Sequence, residues 1–357
     1  MAYSDIKDPS AYFQTTLYTG NNTGGASNTI TNDGNSDLQP DWVWIKSRSG
    51  TANHNNSDSS RGATKHLAQN ISYQEETVAG ISAYNSNGFT VGSNNDANYN
   101  GASFVAWQWK ANGGTTASNT DGTITSTVQA NQDAGFSIVT YTGTGANATV
   151  GHGLGVIPDL VIYKNRTDGG ASGATNGNWI VQSSQYAVDQ FMTLNSTNAV
   201  ATDTGYFRGV RPSSTVLTLG VYNSNNGSND NLVAYAFASK QGYSKFGSYT
   251  GNGNVDGTFT YLGFKPAFLL IKAATTAGQN WLVQDSKRPA YNPTSGRLFA
   301  NTSGAENTDT ELPDFLSNGF KVRSTSYGTN KSGETYIYMA FAENPFVTST
   351  GVPTTAR

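Results

Sequence analysis

The sequence has no cysteine in its 357 residues, which excludes disulfide frameworks and metal sites built on thiolates. It is also poor in charge, because Asp, Glu, Lys and Arg together make up 13% of the chain, about half the share of an average globular protein. The net charge is −3 and there is no basic run, which argues against a nucleic-acid partner. The chain contains neither a long apolar stretch nor an N-terminal signal core, so we expect no membrane insertion and no Sec-dependent export.

Histidine is scarce as well, with His54, His66 and His152 in unrelated contexts. None of them has the spacing to Asp, Glu or another His that a zinc or two-metal site requires. The Asn- and Asp-rich loops lack the ordered spacing of an EF-hand calcium loop. We therefore expect no cofactor.

The chain is rich in glycine, with 40 residues, and in aromatic residues, at 11%. Short apolar runs such as Phe136–Tyr141 and Val216–Val221 are β-branched or aromatic and are bounded by Gly, Asn and Ser, which is typical of strands. A short helix is predicted over Gly62–Gln69, and nothing longer than two turns elsewhere. The composition indicates an all-β protein of the extracellular or virion type that buries a substantial core.

A long motif occurs three times in the chain. Each copy has Tyr-Thr-Gly, followed by a proline that opens an apolar run ending in lysine. The copies are Tyr18-Thr19-Gly20 with Pro40–Lys46, Tyr141-Thr142-Gly143 with Pro158–Lys164, and Tyr249-Thr250-Gly251 with Pro266–Lys272. Repetition at a period of roughly 110 residues predicts tandem copies of one supersecondary unit.

The fold predicted from these patterns is three tandem repeats of a β-sandwich or jelly-roll-like domain. The predicted boundaries are an N-terminal arm at 1–12, repeats at 13–111, 135–241 and 242–343, a linker or edge strand at 112–134, and a C-terminal arm at 344–357. The strands after the proline are apolar on both faces, as in Trp42-Val43-Trp44-Ile45. One face belongs to the sandwich core, and the other needs a cover from a loop, a neighbouring unit or another chain.

The positions that differ among the copies are the candidate ligand contacts. Asp58 and Asp285 occupy the same place in copies one and three, each with an arginine three residues later, Arg61 and Arg288, whereas copy two has Ser183 and Tyr186. A structural ion pair or turn cap explains these pairs as well as a ligand site does.

Aromatic rings supply the other candidates. Trp179 and Trp281 match each other and are replaced by His54 in copy one. Exposed Trp and Tyr rings beside amide side chains can stack on sugar rings, so these positions are candidates for a glycan contact. The alternative for the aromatic positions is packing in the core, which we favour because Trp107 and Trp109 share one strand face with Val105. Several tyrosines also lie in predicted loops: Tyr73, Tyr84, Tyr99, Tyr291 and Tyr327.

Long segments of the chain resemble a known family. They are Asp8–Thr19 with Leu38–Lys46, Thr149–Gly155, Gly242–Asn254 and Asp314–Phe320. These segments are similar to an uncharacterised repeat family of tailed phages of marine bacteria and cyanobacteria, found among virion structural genes. The resemblance covers essentially the whole chain and implies a virion protein, without any catalytic or binding residue to transfer.

Two classes of function follow. The first is a non-enzymatic phage structural protein on the particle surface, either a capsid decoration or fibre or a tail-fibre or tip module, with other virion proteins and host surface polysaccharide as partners. The alternative is a polysaccharide-degrading enzyme of the tailspike type, which needs carboxylates along a groove. Because the acidic residues are few and scattered, we favour the first. A homo-oligomer is expected, with a trimer favoured by the resemblance. The alternative is a monomer in which the three units form a pseudo-threefold disc.

Overall fold

The computed structural model describes residues 4–168, 176–289, 291–292, 294–308, 313–347 and 352. The predicted all-β class is confirmed. Helical structure among these residues is limited to a 3-10 turn at Pro9–Ala11 and three short helices. These are α1 (Asn95–Asn98), α2 (Thr204–Phe207) and α3 (Asn223–Asn226).

The strands fall into three groups along the chain. The first group is β1 (Phe13–Thr19), β2 (Asn28–Thr31), β3 (Trp42–Ser47), β4 (Asn55–Asp58), β5 (Lys65–His66), β6 (Glu76–Thr77), β7 (Ile81–Asn85), β8 (Gly88–Val91) and β9 (Ser103–Trp109). The second is β10 (Ala117–Asn119), β11 (Ser126–Asn131), β12 (Phe136–Thr142), β13 (Ala148–Gly151), β14 (Leu160–Asn165), β15 (Ile180–Ser183), β16 (Gln190–Thr193), β17 (Ala201–Thr202), β18 (Val216–Leu219) and β19 (Asn231–Phe237). The third is β20 (Ser244–Thr250), β21 (Phe259–Tyr261), β22 (Phe264–Ala273), β23 (Leu282–Asp285), β24 (Gly296–Phe299), β25 (Asn307–Thr308), β26 (Asp314–Leu316), β27 (Gly319–Lys321) and β28 (Thr335–Pro345).

Each group forms one main sheet, and the same strand order recurs in all three. The first main sheet is β1-β9-β3-β4, the second is β10-β11-β12-β19-β14-β15-β16-β17, and the third is β20-β28-β22-β23-β24-β25. In each, the strand that carries Tyr-Thr-Gly pairs with the last strand of its group, which pairs with the strand after the proline. Each group also has a small sheet, β2-β8-β7, β13-β18 or β21-β27-β26.

The main sheets are buried on both faces. In the first group, Val43 and Ile45 point to a core that they share with Phe89 of the small sheet. Trp42 and Trp44, on the opposite face, belong to a central core built by all three main sheets. The second apolar face is therefore covered by the neighbouring units, which is one of the three covers considered from the sequence.

Aromatic rings dominate this central core. Trp42 stacks on Trp109 at 4.3 Å between ring centroids and on Tyr235 of the second sheet at 4.6 Å. Trp109 meets Phe268 of the third sheet edge-on at 5.5 Å. Offset-stacked and edge-on arrangements are the ones that aromatic rings favour, so rings from all three sheets pack in favourable geometry.

The Tyr-Thr-Gly motif has a packing reason. The hydroxyls of Tyr18, Tyr141 and Tyr249 each donate to a backbone carbonyl, at 2.6, 2.7 and 2.6 Å. A Cβ at the motif glycine would overlap a carbonyl oxygen in every copy, for example that of Gly227 at Gly143. Glycine is needed where backbones approach this closely.

Residues 112–134, expected to be a linker or an edge strand, contain two strands. β11 pairs with β12 and β10 pairs with β11, so the segment extends the second sheet at its edge. The described part of the N-terminal arm packs on its own chain, because Ile6 joins the central core and the Asp5 N–H donates to the Gln241 carbonyl at 3.0 Å. Predictions for 1–3, 348–351 and 353–357 lie outside the described residues.

The helix predicted over Gly62–Gln69 is wrong. The segment forms a turn followed by β5. Gly62 and Thr64 have φ values of 102° and 70°, and such left-handed conformations do not continue a right-handed helix.

Candidate functional site

All seven predicted site residues lie inside the protein, where the main sheets meet. His54, Asp58, Trp179, Trp281 and Asp285 are at most 1% exposed, and Arg61 and Arg288 are 9% exposed. They belong to three junctions: first–second (Asp58, Arg61 and Trp179), second–third (Trp281) and third–first (Asp285, Arg288 and His54).

The two tryptophans make the same contact at successive junctions. The Trp179 indole N–H donates to the Ala68 carbonyl at 2.9 Å, from the second group to the first. The Trp281 indole N–H donates to the Thr193 carbonyl at 3.0 Å, from the third group to the second. Both rings are buried, which leaves no exposed indole face on which a sugar could stack.

His54 makes the corresponding contact at the third–first junction. Its Nδ1 accepts a hydrogen bond from the Trp44 indole N–H at 2.7 Å, so Nε2 carries the ring proton. Nε2 lies 3.1 Å from the Phe299 carbonyl oxygen and 3.0 Å from that of Thr302. Burial, with a smaller effect of Lys46, lowers the pKa of His54 to about 3. The ring is therefore neutral at pH 7 and acts as a donor, as the indoles do.

The lysines that end the post-proline runs repeat the pattern. Each is fully buried and reaches a backbone carbonyl of the preceding group. The pairs are Lys46 with Ser303 at 3.1 Å, Lys164 with Ser72 at 3.0 Å, and Lys272 with Thr197 at 3.5 Å. Burial lowers their pKa values to about 8, 7 and 8 respectively.

The Asp58–Arg61 pair belongs to an ionic network at the first–second junction. Arg61 donates to Asp58 through its backbone N–H and Nε, and to Glu75 at 2.8 Å. Glu75 also accepts two bonds from Arg166 of the second group, both at 2.9 Å. The Tyr235 hydroxyl, also from the second group, donates to Asp58 at 2.7 Å. Burial raises the pKa of Tyr235 well above its usual value, so the phenol keeps the proton that it donates.

The same network occurs at the third–first junction. Arg288 donates to Asp285 at 2.9 Å through its backbone N–H and at 2.5 Å through Nε. Glu306 accepts from Arg48 of the first group at 2.8 and 3.0 Å and lies 3.4 Å from Arg288. The Trp107 indole N–H takes the place of the tyrosine hydroxyl and donates to Asp285 at 3.0 Å.

At the second–third junction the same positions carry no charge. Ser183 and Tyr186 replace the Asp and Arg, and Met339 replaces the aromatic donor. Val200 corresponds to Glu75 and Glu306, and Ala274 corresponds to Arg166 and Arg48. The two residues keep only the backbone hydrogen bond, from the Val200 N–H to the Ala274 carbonyl at 2.8 Å. All charged members of the network are therefore replaced by uncharged residues at this junction. This is expected, because the loss of a single member would leave a buried charge unpaired.

Two open clefts lie near the surface ends of these junctions. One, of about 350 Å³, separates β1 from the third group. The other, of about 430 Å³, lies where the second group connects to the third and is lined by Lys240, Gln241, Lys245 and Tyr261, among others. The Lys245 ammonium lies 5.6 Å from the centre of the Tyr261 ring and donates to the Tyr261 carbonyl at 2.7 Å.

Sequence analysis missed this second cleft. Phe259 and Tyr261 are 43% and 54% exposed on the outer side of β21, with the buried Thr260 between them. The first group has Thr29 and Thr31 in the corresponding places beside Ile30. Aligning the copies at this strand would have shown that only the third carries two aromatic rings. Of the tyrosines predicted in loops, Tyr73, Tyr99, Tyr291 and Tyr327 are exposed. The prediction is wrong for Tyr84, which lies in β7 with its hydroxyl buried.

No cluster of three His, Asp or Glu side chains that could hold a metal ion occurs among the described residues. Over the same part of the chain, no helix is long and apolar enough to cross a bilayer.

Most of the chain matches the model of a known family. The model of a family described as a domain of unknown function, DUF7483, matches residues 8–345. No curated protein matches the chain, and no solved structure matches it.

Proposed function

We propose that this chain, which belongs to the DUF7483 family of unknown function, is a non-enzymatic structural protein displayed on the surface of a phage particle. It would be a capsid decoration or fibre, or a module of a tail fibre or tip. The observation that carries the proposal is the structural use of positions that correspond to one another in the three copies. The Trp, His and Lys side chains at these positions donate to backbone carbonyls of the neighbouring group and so join one main sheet to the next. This is a structural role.

We also propose that the three groups are tandem repeats that close a pseudo-threefold ring within one chain. The support is that corresponding donors reach corresponding carbonyls at all three junctions, each from one group to the one before it. The first group completes the cycle by donating to the third through His54 and Lys46. This arrangement favours the monomeric disc over the homotrimer, because the faces that a trimer would bury are covered by the chain itself.

The particle proposal is tested by locating the protein. Purified phage particles whose genome encodes the chain should contain it in stoichiometric amounts by mass spectrometry, and labelled antibodies against it should decorate intact particles at one structure. Detection in infected-cell lysate but not in purified particles would contradict the proposal.

For host attachment we propose the cleft beside Tyr261 as the contact for surface polysaccharide. The exposed Tyr261 ring, which is held by Lys245 and lies in the same cleft as Lys240 and Gln241, can stack on a sugar. The lysines can pair with an acidic group of the polysaccharide. Tyr261→Ala should abolish retention on immobilised host polysaccharide, whereas Tyr327→Ala, which removes an exposed ring outside the cleft, should not. Equal retention of both variants would exclude this cleft, and the particle assay would still test the scaffold separately.

The alternative is a polysaccharide-degrading enzyme of the tailspike type, which needs carboxylates along a groove. Release of oligosaccharides from host polysaccharide would support it. The buried carboxylates Asp58 and Asp285 are engaged by arginines, so they are poorly placed as a catalytic pair.

A further inference from the structure

The outer edge of β1 differs from the equivalent edge of the second sheet. β1 is the outermost strand of the first main sheet. The Lys110 N–H donates to the Tyr12 carbonyl, and the Gly20 N–H donates to that of Ala102, so even-numbered residues direct their backbone groups to β9. The N–H and C=O groups of Phe13, Thr15 and Leu17 therefore point away from the sheet.

In the second sheet the equivalent edge is occupied. β12 corresponds to β1, and β11 pairs with its outer side, with Gln129 opposite Ile138. The Gln129 side chain is buried and its Oε1 accepts from Ser59 at 3.1 Å and from Ser60 at 2.7 Å, both of the first group. At the end of β11, Asn131 donates to the Ala111 carbonyl at 2.9 Å. β11 thus closes the surface end of the first–second junction.

The cleft beside β1 has the same walls without the strand. Thr15 lies where Ile138 lies, Ser286 and Lys287 correspond to Ser59 and Ser60, and Glu343 corresponds to Ala111. All four residues line the cleft. A strand added to β1 as β11 is added to β12 would place the residue opposite Thr15 in this space.

A buried hydroxyl points to a missing partner at this place. Thr15 is 4% exposed, and its Oγ1 has no hydrogen-bond partner in the part of the chain that the structure describes. An unpaired buried hydroxyl costs free energy, which an amide side chain lying beside it would recover.

The edge of β20, the third equivalent strand, is protected. Lys240 forms a β-bridge with Ser244 at the start of β20, and the next residue, Lys245, is charged. Lysine and short bridges are devices that keep edge strands from pairing. β1 itself, from Phe13 to Thr19, contains neither a charge nor a proline.

We propose that the open edge of β1 is a docking site for an extended segment of another protein. The segment adds to the first sheet as a strand antiparallel to β1 and places a Gln or Asn side chain opposite Thr15, between Thr15 and Ser286. The cleft mouth carries the paired charges of Lys287 and Asp33, 2.9 Å apart, which suits an uncharged segment rich in Ser, Thr and amides. Strand addition of this kind takes its affinity from main-chain hydrogen bonds and its specificity from alternate side chains.

The test uses the sequence that occupies the equivalent edge. A fluorescent peptide of residues 123–132 is titrated onto the full chain and followed by anisotropy. We expect saturable binding with a Kd of order 10 μM. Leu17→Pro removes an outward N–H, which an edge strand tolerates, and should weaken binding at least tenfold. Leu17→Ala, which keeps that N–H, is the matched control and should bind within about twofold of the parent.

A second arm does not depend on the variant folding. N-methylation of the peptide at Gln129, whose N–H faces the docked strand, should abolish binding, whereas N-methylation at Val128, whose N–H points away, should not. Absence of binding to the parent chain, or binding that is indifferent to both Leu17→Pro and the Gln129 methyl group, would overturn the proposal. A dimer that Leu17→Pro dissociates would overturn the choice of partner, because the occupant would then be a second copy.

Discussion

At the residue scale, the junctions depend on buried polar groups that are stable only as complete sets. Buried Asp58 accepts hydrogen bonds from Arg61 and from the Tyr235 hydroxyl. Removing the Asp58 carboxylate takes a counter-charge from Arg61, whereas removing the Tyr235 hydroxyl takes away only one hydrogen bond. A buried charge without its partner is far more costly than an absent hydrogen bond.

Asp58→Ala should therefore lower the free energy of unfolding by about 3 to 5 kcal/mol, because the buried Arg61 loses one of its two carboxylates and keeps only Glu75. Tyr235→Phe removes only a donor and should cost about 1 to 2 kcal/mol. Urea denaturation followed by tryptophan fluorescence measures both. Ser183→Ala, at the corresponding place of the uncharged junction, is the control and should change stability by less than about 1 kcal/mol.

His54 should make stability depend on acid. Its pKa is about 3 when folded and about 6.5 when unfolded, so between these values the unfolded chain binds the additional proton. The contribution of His54 is complete above pH about 6.5 and is lost as the pH falls toward 3. Between pH 7 and pH 4.5 the parent should lose about 2 to 3 kcal/mol more than His54→Gln, which keeps an acceptor for Trp44 and a donor for Phe299 without titrating. Equal losses in both proteins would contradict this assignment.

At the element scale, close backbone contact rather than hydrophobicity fixes the Tyr-Thr-Gly turns. Gly143→Ala places a methyl group on the Gly227 carbonyl oxygen, and a backbone atom cannot move aside as a side-chain end can. We expect a loss of about 2 kcal/mol or more, measured as a lower denaturation midpoint. Gly50→Ala is the control: no atom lies closer than 3.9 Å to the added carbon, and its midpoint should stay within error of the parent.

Element-level patterns predicted the strands better than they predicted how the strands assemble. Phe136–Tyr141 became β12, and the run from Val216 became β18, because alternation and bounding turns are local signals. The roles of His54, Trp179 and Trp281 could not be derived in the same way. Their partners are backbone carbonyls far along the chain, and any residue supplies a carbonyl, so the acceptor side of each junction leaves no mark in the sequence.

At the scale of the whole molecule, the central core joins what the sequence divides into three. The core includes Trp42 of the first sheet, Tyr235 of the second and Phe268 of the third. No main sheet covers its inner face alone, so each depends on the other two for the burial of that face.

This dependence predicts one cooperative unfolding transition for the full chain and a mass near 38 kDa by light scattering. Trp42→Ala, which leaves a large cavity in the shared core, should cost about 3 to 5 kcal/mol and shift that transition as a whole. Calorimetry distinguishes this from independent units, because a change confined to one unit would split the trace and leave two-thirds of the enthalpy at the parental temperature.

A fragment of residues 112–241, which keeps every strand of the second main sheet, should fail to fold alone. Its Leu160, Ile162 and Tyr235 would expose their core face to water. A folded, monomeric fragment would contradict this prediction. It would show that the second group folds without the other two and that the central core only holds independently folded domains together.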